Sequence, residues 1–404
     1  MNPMRPGRRR FLKAMGAAAA AGVGGLGGAG DLFAQAKAKK TPATPAGPAF
    51  KTRHVVFVVL GGGVRTRDVI GQEDCPNINA IIKAGMLVRP VKVRDVGHYG
   101  STMTLLTGVD QKALADDVRT EDPTIFELLR KGRRLPNTQT WLTAAGSDWH
   151  SNLSFSRHPS YGVRYAANYI TGDGVFTAEL ADVTNQFGEP RVPDETERKI
   201  LADLGKSIDG SVAAATAQLR TGGSPPDVQE RIRKYVLDEL SGNVKRIESP
   251  GLRDIMAVHY GTNLLAVFKP TLLVMALVYH DLGHGNAARY QQVLRKNDAE
   301  IGRLWETIQK DEYLKATTSL VIMPEFGRNE RENNKGGLDH DDKGPNHLQV
   351  FLVGAGPDFK RGELKGVTLD AADITPTLLH LLGVPFNPPA GKTAGKVASA
   401  ILNG

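Results

Sequence analysis

The chain has 404 residues, 41% of them apolar, which excludes global disorder and supplies one large core. Its formal net charge of +8 falls to +4 once the first 36 residues, with five basic side chains and one acidic, are set aside. No basic stripe interleaved with aromatics accompanies that charge, so nucleic acid is not an expected partner. The single cysteine, Cys75, excludes a disulfide framework and a cysteine-based metal cluster.

The first element reads as an address. Arg8-Arg9-Arg10-Phe11-Leu12-Lys13 fits the twin-arginine pattern, a weakly apolar run follows from Ala14 to Gly30, and Ala34-Gln35-Ala36 offers an A-x-A cleavage site. Seven of the residues from Gly22 to Gly30 are Gly or Ala, too weakly apolar for a permanent membrane span. Residues 1–36 are therefore expected to be a twin-arginine signal peptide, with the twin-arginine export machinery as partner and a periplasmic or secreted location. Residues 37–50, rich in Pro, Ala and Lys, read as a linker.

From there strands and helices alternate. His54 to Leu60 is a β-branched apolar run that ends in Gly61-Gly62-Gly63, a strand and a turn. Pro76 to Gly85 reads as a helix started by Pro and stopped by Gly, Leu87 to Val93 as a strand, and Met103 to Gly108 as the first turns of another helix. Residues 123–132 are helical and Thr138 to Ala144 is a strand. Residues 146–253 change character: turn-rich and aromatic first (Trp149, Tyr161, Tyr165, Tyr169), then amphipathic, which implies a largely helical insertion or cap. The core resumes with a helix from Ile255 to Phe268, an apolar strand from Thr271 to Val278 and a long helix from Ala287 to Gln309. Leu320 to Met323 and Leu348 to Val353 are strands flanking a charged loop, and Asp373 to Gly383 is a capped helix. This pattern predicts an α/β fold with a doubly wound, mostly parallel sheet flanked by helices. The core is expected over 51–145 and 254–390, with a C-terminal tail at 391–404.

Two clusters carry chemistry. Tyr279-His280-Asp281-Leu282-Gly283-His284 follows the strand that starts at Thr271, and Glu325, Asp339, His340, Asp341, Asp342 and His347 follow the strand at Leu320. Strand C-termini are where an α/β sheet places its chemistry, and these two strands are expected to be neighbours. Asp and His together suit a divalent metal, zinc first, with manganese or iron as alternatives. Arg65, Arg67 and Arg328 lie just past strand ends and are candidates for clamping an anionic ester.

Pro76-Asn77-Ile78, Leu105-Leu106-Thr107-Gly108, Gly354-Ala355-Gly356-Pro357-Asp358-Phe359-Lys360 and Asp373-Ile374-Thr375-Pro376-Thr377-Leu378-Leu379, in that order, resemble the alkaline phosphatase and sulfatase superfamily. Phe351 to Gly362 is especially similar to nucleotide pyrophosphatase-type phosphodiesterases. The resemblance implies hydrolysis of a small phosphate or sulfate ester by two metal ions flanking a covalent nucleophile. It places Asp281, His284 and His340 at one metal site, with His280 and His347 as alternatives. At the second site it places Gly61, Glu325 and Phe326, of which only Glu325 can bind a metal through its side chain. It places His98 where the nucleophile is expected. Three readings of His98 stay open: fourth ligand of a single metal, nucleophile forming a phosphohistidine, or relic of a protein that binds without catalysing. His150, His158, His259 and His380 have no clustered partners and read as structural.

Overall fold

The computed structural model describes residues 50–112, 114–115, 118–146, 149–171, 174–176, 253–342 and 344–403. The expected signal peptide, the linker up to residue 49 and the helical part of the insertion, residues 177–252, lie outside them.

The sheet is built around β1 (His54–Leu60), buried at every position. Its branched residues favour extended backbone, and burial on both faces is what a central parallel strand demands. Val55, Phe57 and Val59 enter one apolar layer and Val56, Val58 and Leu60 the other, each side chain contributing about 1.5–3 kcal/mol by leaving water. In chain order follow α1 (Pro76–Ala84), β2 (Met86–Lys92), α2 (His98–Thr107), α3 (Ile125–Arg133), β3 (Thr140–Ala144), β4 (Asn168–Thr171) and β5 (Gly174–Phe176). The second half supplies α4 (Arg253–Phe268), β6 (Leu272–Ala276), α5 (Ala287–Lys310), α6 (Glu312–Thr317), β7 (Thr318–Pro324), α7 (Pro345–Leu348), β8 (Gln349–Ala355), β9 (Gly362–Glu363), β10 (Leu369–Asp370) and α8 (Ile374–Leu381).

These ten strands form one sheet in the order β10-β2-β8-β7-β1-β6-β3-β4-β5, with β9 beside β2. β1 pairs parallel with β6 and with β7, β3 pairs parallel with β6 and β4, and β8 and β5 run antiparallel to their neighbours. The doubly wound, mostly parallel expectation holds. The strands ending before His280 and before Glu325 are not direct neighbours, because β1 separates them. All three are parallel, so their C-termini still open on one edge.

Three further differences bear on the site. α2 begins at His98, five residues before the expected start; its N-cap, Gly97, has no side chain to cap it, which leaves a weaker signal than Ser, Thr, Asp or Asn would. β4 and β5 come from the stretch expected to begin the insertion, yet they extend the sheet. The C-terminal segment is packed, not loose: Ala394 bridges to Val109 and Leu402 to Phe359, with Ile401 and Leu402 buried. Among the described residues no helix is long and apolar enough to cross a membrane.

Candidate metal centre

Three strand ends and one helix start converge at the C-terminal edge. After β6 the chain makes a 3₁₀ turn, Tyr279–His284, that carries Asp281 and His284. His98 is the first residue of α2, and His340 comes from the loop between β7 and α7. Asp254, fully buried, ties this turn down by accepting from the backbone N–H groups of Val278 and Tyr279 at 2.9 and 3.1 Å.

One ligating atom from each of His98, Asp281, His284 and His340 lies within 4.8 Å of the others. Asp281 Oδ1 is the hub, 3.2 Å from His284 Nε2, 3.3 Å from His98 Nε2 and 3.7 Å from His340 Nε2. Ligands of a tetrahedral zinc with bonds of about 2.0–2.1 Å stand roughly 3.3 Å apart, so the spacing fits a cation. His340 Nε2 adds a second sign: it is buried with no hydrogen-bond partner, an arrangement that calls for an ion or other group at that point. Electrostatics agree. Burial opposes charge on His98, but Glu325 and Asp281 outweigh it and lift the imidazole to about 10. Burial would likewise raise the Asp281 carboxyl, yet His340, His98 and Arg328 hold it well below the usual carboxylate range. A site that draws a proton this strongly draws a metal cation as well.

Behind the four side chains stands a set of supports. His98 Nδ1 is 2.7 Å from Glu325 Oε1, and His284 Nδ1 is 2.7 Å from Asp339 Oδ1. A carboxylate on Nδ1 keeps the proton there and turns the Nε2 lone pair toward the centre. Asn333 Nδ2 in turn donates to Asp339 Oδ2 at 3.0 Å. Phe326, fully buried, packs against the rings of His98 and His340 at centroid distances of 5.1 and 4.8 Å.

Several expected roles change. Glu325 is not among the four converging residues; its carboxylate accepts from Gly62 N–H at 2.7 Å, from Thr102 Oγ1 at 2.6 Å and pairs with His98. Arg328 is not free to clamp a substrate. It is fully buried, donates to the carbonyls of Gly62, Gly63 and Leu338, and reaches Asp281 Oδ1 at 2.8 Å. Arg65 is engaged too, paired with Asp68 at 2.6 Å and donating to the carbonyls of Asn329 and Glu330. Arg67 pairs with Glu330 at 3.1 Å. His280 is spent on structure, its Nδ1 against Gly61 O at 2.8 Å and its Nε2 against Asn297 Nδ2 at 3.2 Å, and burial pushes it down to about 4. His347 lies outside the cluster, 6.0 Å from His340 ring to ring. The supporting role of Asp339 has no sequence signal, since its partner is 55 positions away.

No protein-family model and no curated protein sequence matches the chain. Solved structures do match it. A multiply substituted variant of alkaline phosphatase PafA superposes with a TM-score of 0.54 at 10% identity, over 89% of this chain and 100% of that one. This is the alkaline-phosphatase and sulfatase fold. A 2-O GAG sulfatase gives a TM-score of 0.50 at 12% identity, over 87% of this chain and 74% of its own. A Bacteroides thetaiotaomicron protein of glycosaminoglycan metabolism gives 0.52 at 12% identity, over 87% and 82%. At such identities the likeness carries the fold alone, and chemistry has to come from the residues.

Gly61 and Phe326, where the sequence resemblance implies ligands of a second metal, carry no ligating side chain. A Cβ on Gly61 would stand 1.9 Å from the Leu277 carbonyl oxygen, so no carboxylate fits there on this backbone. Gly62, at a φ of 86°, instead turns its N–H onto Glu325. Nor does another hydroxyl near His98 take the nucleophile's place: Ser101 Oγ donates to Asp95 O at 2.9 Å and Thr102 Oγ1 to Glu325.

Proposed function

We propose that this chain holds one divalent cation, zinc first, through His98, Asp281, His284 and His340, and uses it to hydrolyse a small phosphate or sulfate ester. The observation that carries the reading is the convergence of three imidazole Nε2 atoms on Asp281 Oδ1, with two of the three rings backed by carboxylates. Three imidazoles and one carboxylate suit zinc, with manganese and iron as alternatives. Such an ion supplies Lewis acidity toward an ester oxygen and toward water. The residues do the rest. Glu325 and Asp339 fix the tautomers of His98 and His284, Arg328 holds Asp281 in place, and Phe326 excludes water from the rear of the site. Of the readings of His98, ligand is favoured over nucleophile, because Nδ1 is taken by Glu325 and Nε2 faces the other ligands.

A second reading is a metal- or anion-binding protein without turnover. The observation in its favour is that, among the described residues, Ser101 and Thr102 are held by other partners, and Gly61 and Phe326, where the resemblance implies a second metal, offer no ligating side chain. Metal content of the purified chain separates it from the first when combined with turnover of aryl phosphate, phosphodiester and sulfate with and without chelator. One metal ion per chain with chelator-sensitive turnover supports hydrolysis; one metal ion without turnover supports metal binding; no metal and no turnover defeats the first reading and leaves anion binding. Export by the twin-arginine route to the periplasm or beyond is part of the proposal, supported by residues 8–13 and 34–36. A reporter fused behind residues 1–40 that stays inside the cell would remove it.

A further inference from the structure

A cleft of about 390 Å³ opens beside the metal centre, walled by Asp281, Leu282, Gly285, Asn286 and Arg289. Small-molecule sites run from roughly 300 to 1,000 Å³, so a compact ester fits. Because Asp281 forms part of the wall, whatever fills the cleft also meets this candidate metal ligand. Arg289 stands out among the lining residues. Its backbone is pinned, since the Asn286 side chain caps α5 by accepting from Arg289 N–H at 3.0 Å. Its side chain is exposed, and among the described residues its guanidinium makes no hydrogen bond or ion pair. Arg65 and Arg328, the arginines expected to receive an anion, are consumed by backbone carbonyls and carboxylates. Arg295, farther along the same helix, is paired with Asp74 at 3.1 Å.

Resting on the anionic-ester reading above, we propose that Arg289 is a specificity-determining residue, whose guanidinium pairs with the charged oxygens of the ester in the cleft at Asp281. Its planar fork matches phosphate and sulfate oxygens in pairs, which an ammonium does not. A base fixed by the helix cap and a head with no competing partner leave that fork available for a ligand.

The test is calorimetric titration of the zinc-loaded full chain with inorganic phosphate and inorganic sulfate, comparing wild type with Arg289→Gln, Arg289→Lys and Arg295→Gln. Arg289→Gln should bind either anion roughly tenfold more weakly. Arg289→Lys should fall between, since it keeps the charge and loses the fork. Arg295→Gln should match wild type, and zinc content should be the same in all four proteins. Wild-type anion affinity in Arg289→Gln overturns this inference while leaving the metal-dependent ester reading intact. Loss of zinc in that variant also overturns it, since Arg289 would then be supporting the metal and not the anion. A wild-type protein that takes up zinc but binds neither anion overturns both.

Discussion

Glu325 Oε1 lies 2.7 Å from Nδ1 of His98, on the side of the ring away from Asp281. With His98 as the proposed ligand, a carboxylate in that place would tune it without touching the ion. Glu325→Gln should therefore keep the fold and lower zinc affinity by about 10–100-fold, measured by competition with a chromophoric chelator. Glu325→Ala should also destabilise the apo protein, because Gly62 N–H and Thr102 Oγ1 lose their acceptor. Unchanged affinity in Glu325→Gln would show that His98 is not a ligand.

Removal of single histidines should sort the ligands from their neighbours. His284→Ala and His340→Ala are expected to lose most bound metal, and His347→Ala to retain it, as read by metal per chain after dialysis. The chelated wild type should melt at a lower temperature than the loaded one, because an ion that binds only the folded chain adds to its stability. Equal loss in all three variants would point to general unfolding.

The second metal position should resist restoration. Gly61→Asp places a Cβ 1.9 Å from the backbone oxygen of Leu277, and backbone cannot swing aside as a flexible side chain can. A cost of about 3 kcal/mol is expected in denaturant unfolding, with no second ion gained. A stable Gly61→Asp protein holding two ions would refute this account of Gly61.

Two buried groups should contribute to acid stability with opposite sign. Burial, aided by the charge on His98, pushes His150 down to about 3 from an ordinary 6.5. Between those values the unfolded chain binds the extra proton, so stability falls as pH drops through this window, by at most about 1.4 kcal/mol per pH unit. Burial raises Asp254 to about 6 from 3.8. Here the folded chain binds the proton first, so this group gains stability as pH drops from 6 toward 4. Urea midpoints at pH 7, 6, 5 and 4 should thus decline less in His150→Gln than in wild type and more in Asp254→Asn. Parallel curves would contradict both assignments.

The sheet was legible because β1, β6 and β7 are continuous apolar runs, which a two-sided parallel sheet requires. The candidate ligands Asp281, His284 and His340 were legible because metal-capable side chains follow strand ends and the family resemblance grouped these three. What stayed hidden depends on partners remote in sequence. Arg328 reads like an anion clamp until its acceptors are known to be the carbonyls of Gly62, Gly63 and Leu338. Glu325 has the chemistry of a ligand, and only its position behind His98 makes it a support. The early start of α2 escaped because Gly97 offers no capping side chain, and that start is what puts His98 at the centre.

Arg328 joins three chain segments, the glycine turn after β1, the 3₁₀ turn after β6 and the loop after β7, and Gly62–Glu325, Gly61–His280 and His284–Asp339 bonds tie the same three together. Their order is therefore shared rather than local. A disturbance in any one of them reaches the other two through these shared bonds, so assembly of the centre should be all-or-none. Efforts to re-engineer its chemistry by exchanging one coordinating side chain at a time will then meet a threshold rather than a gradient.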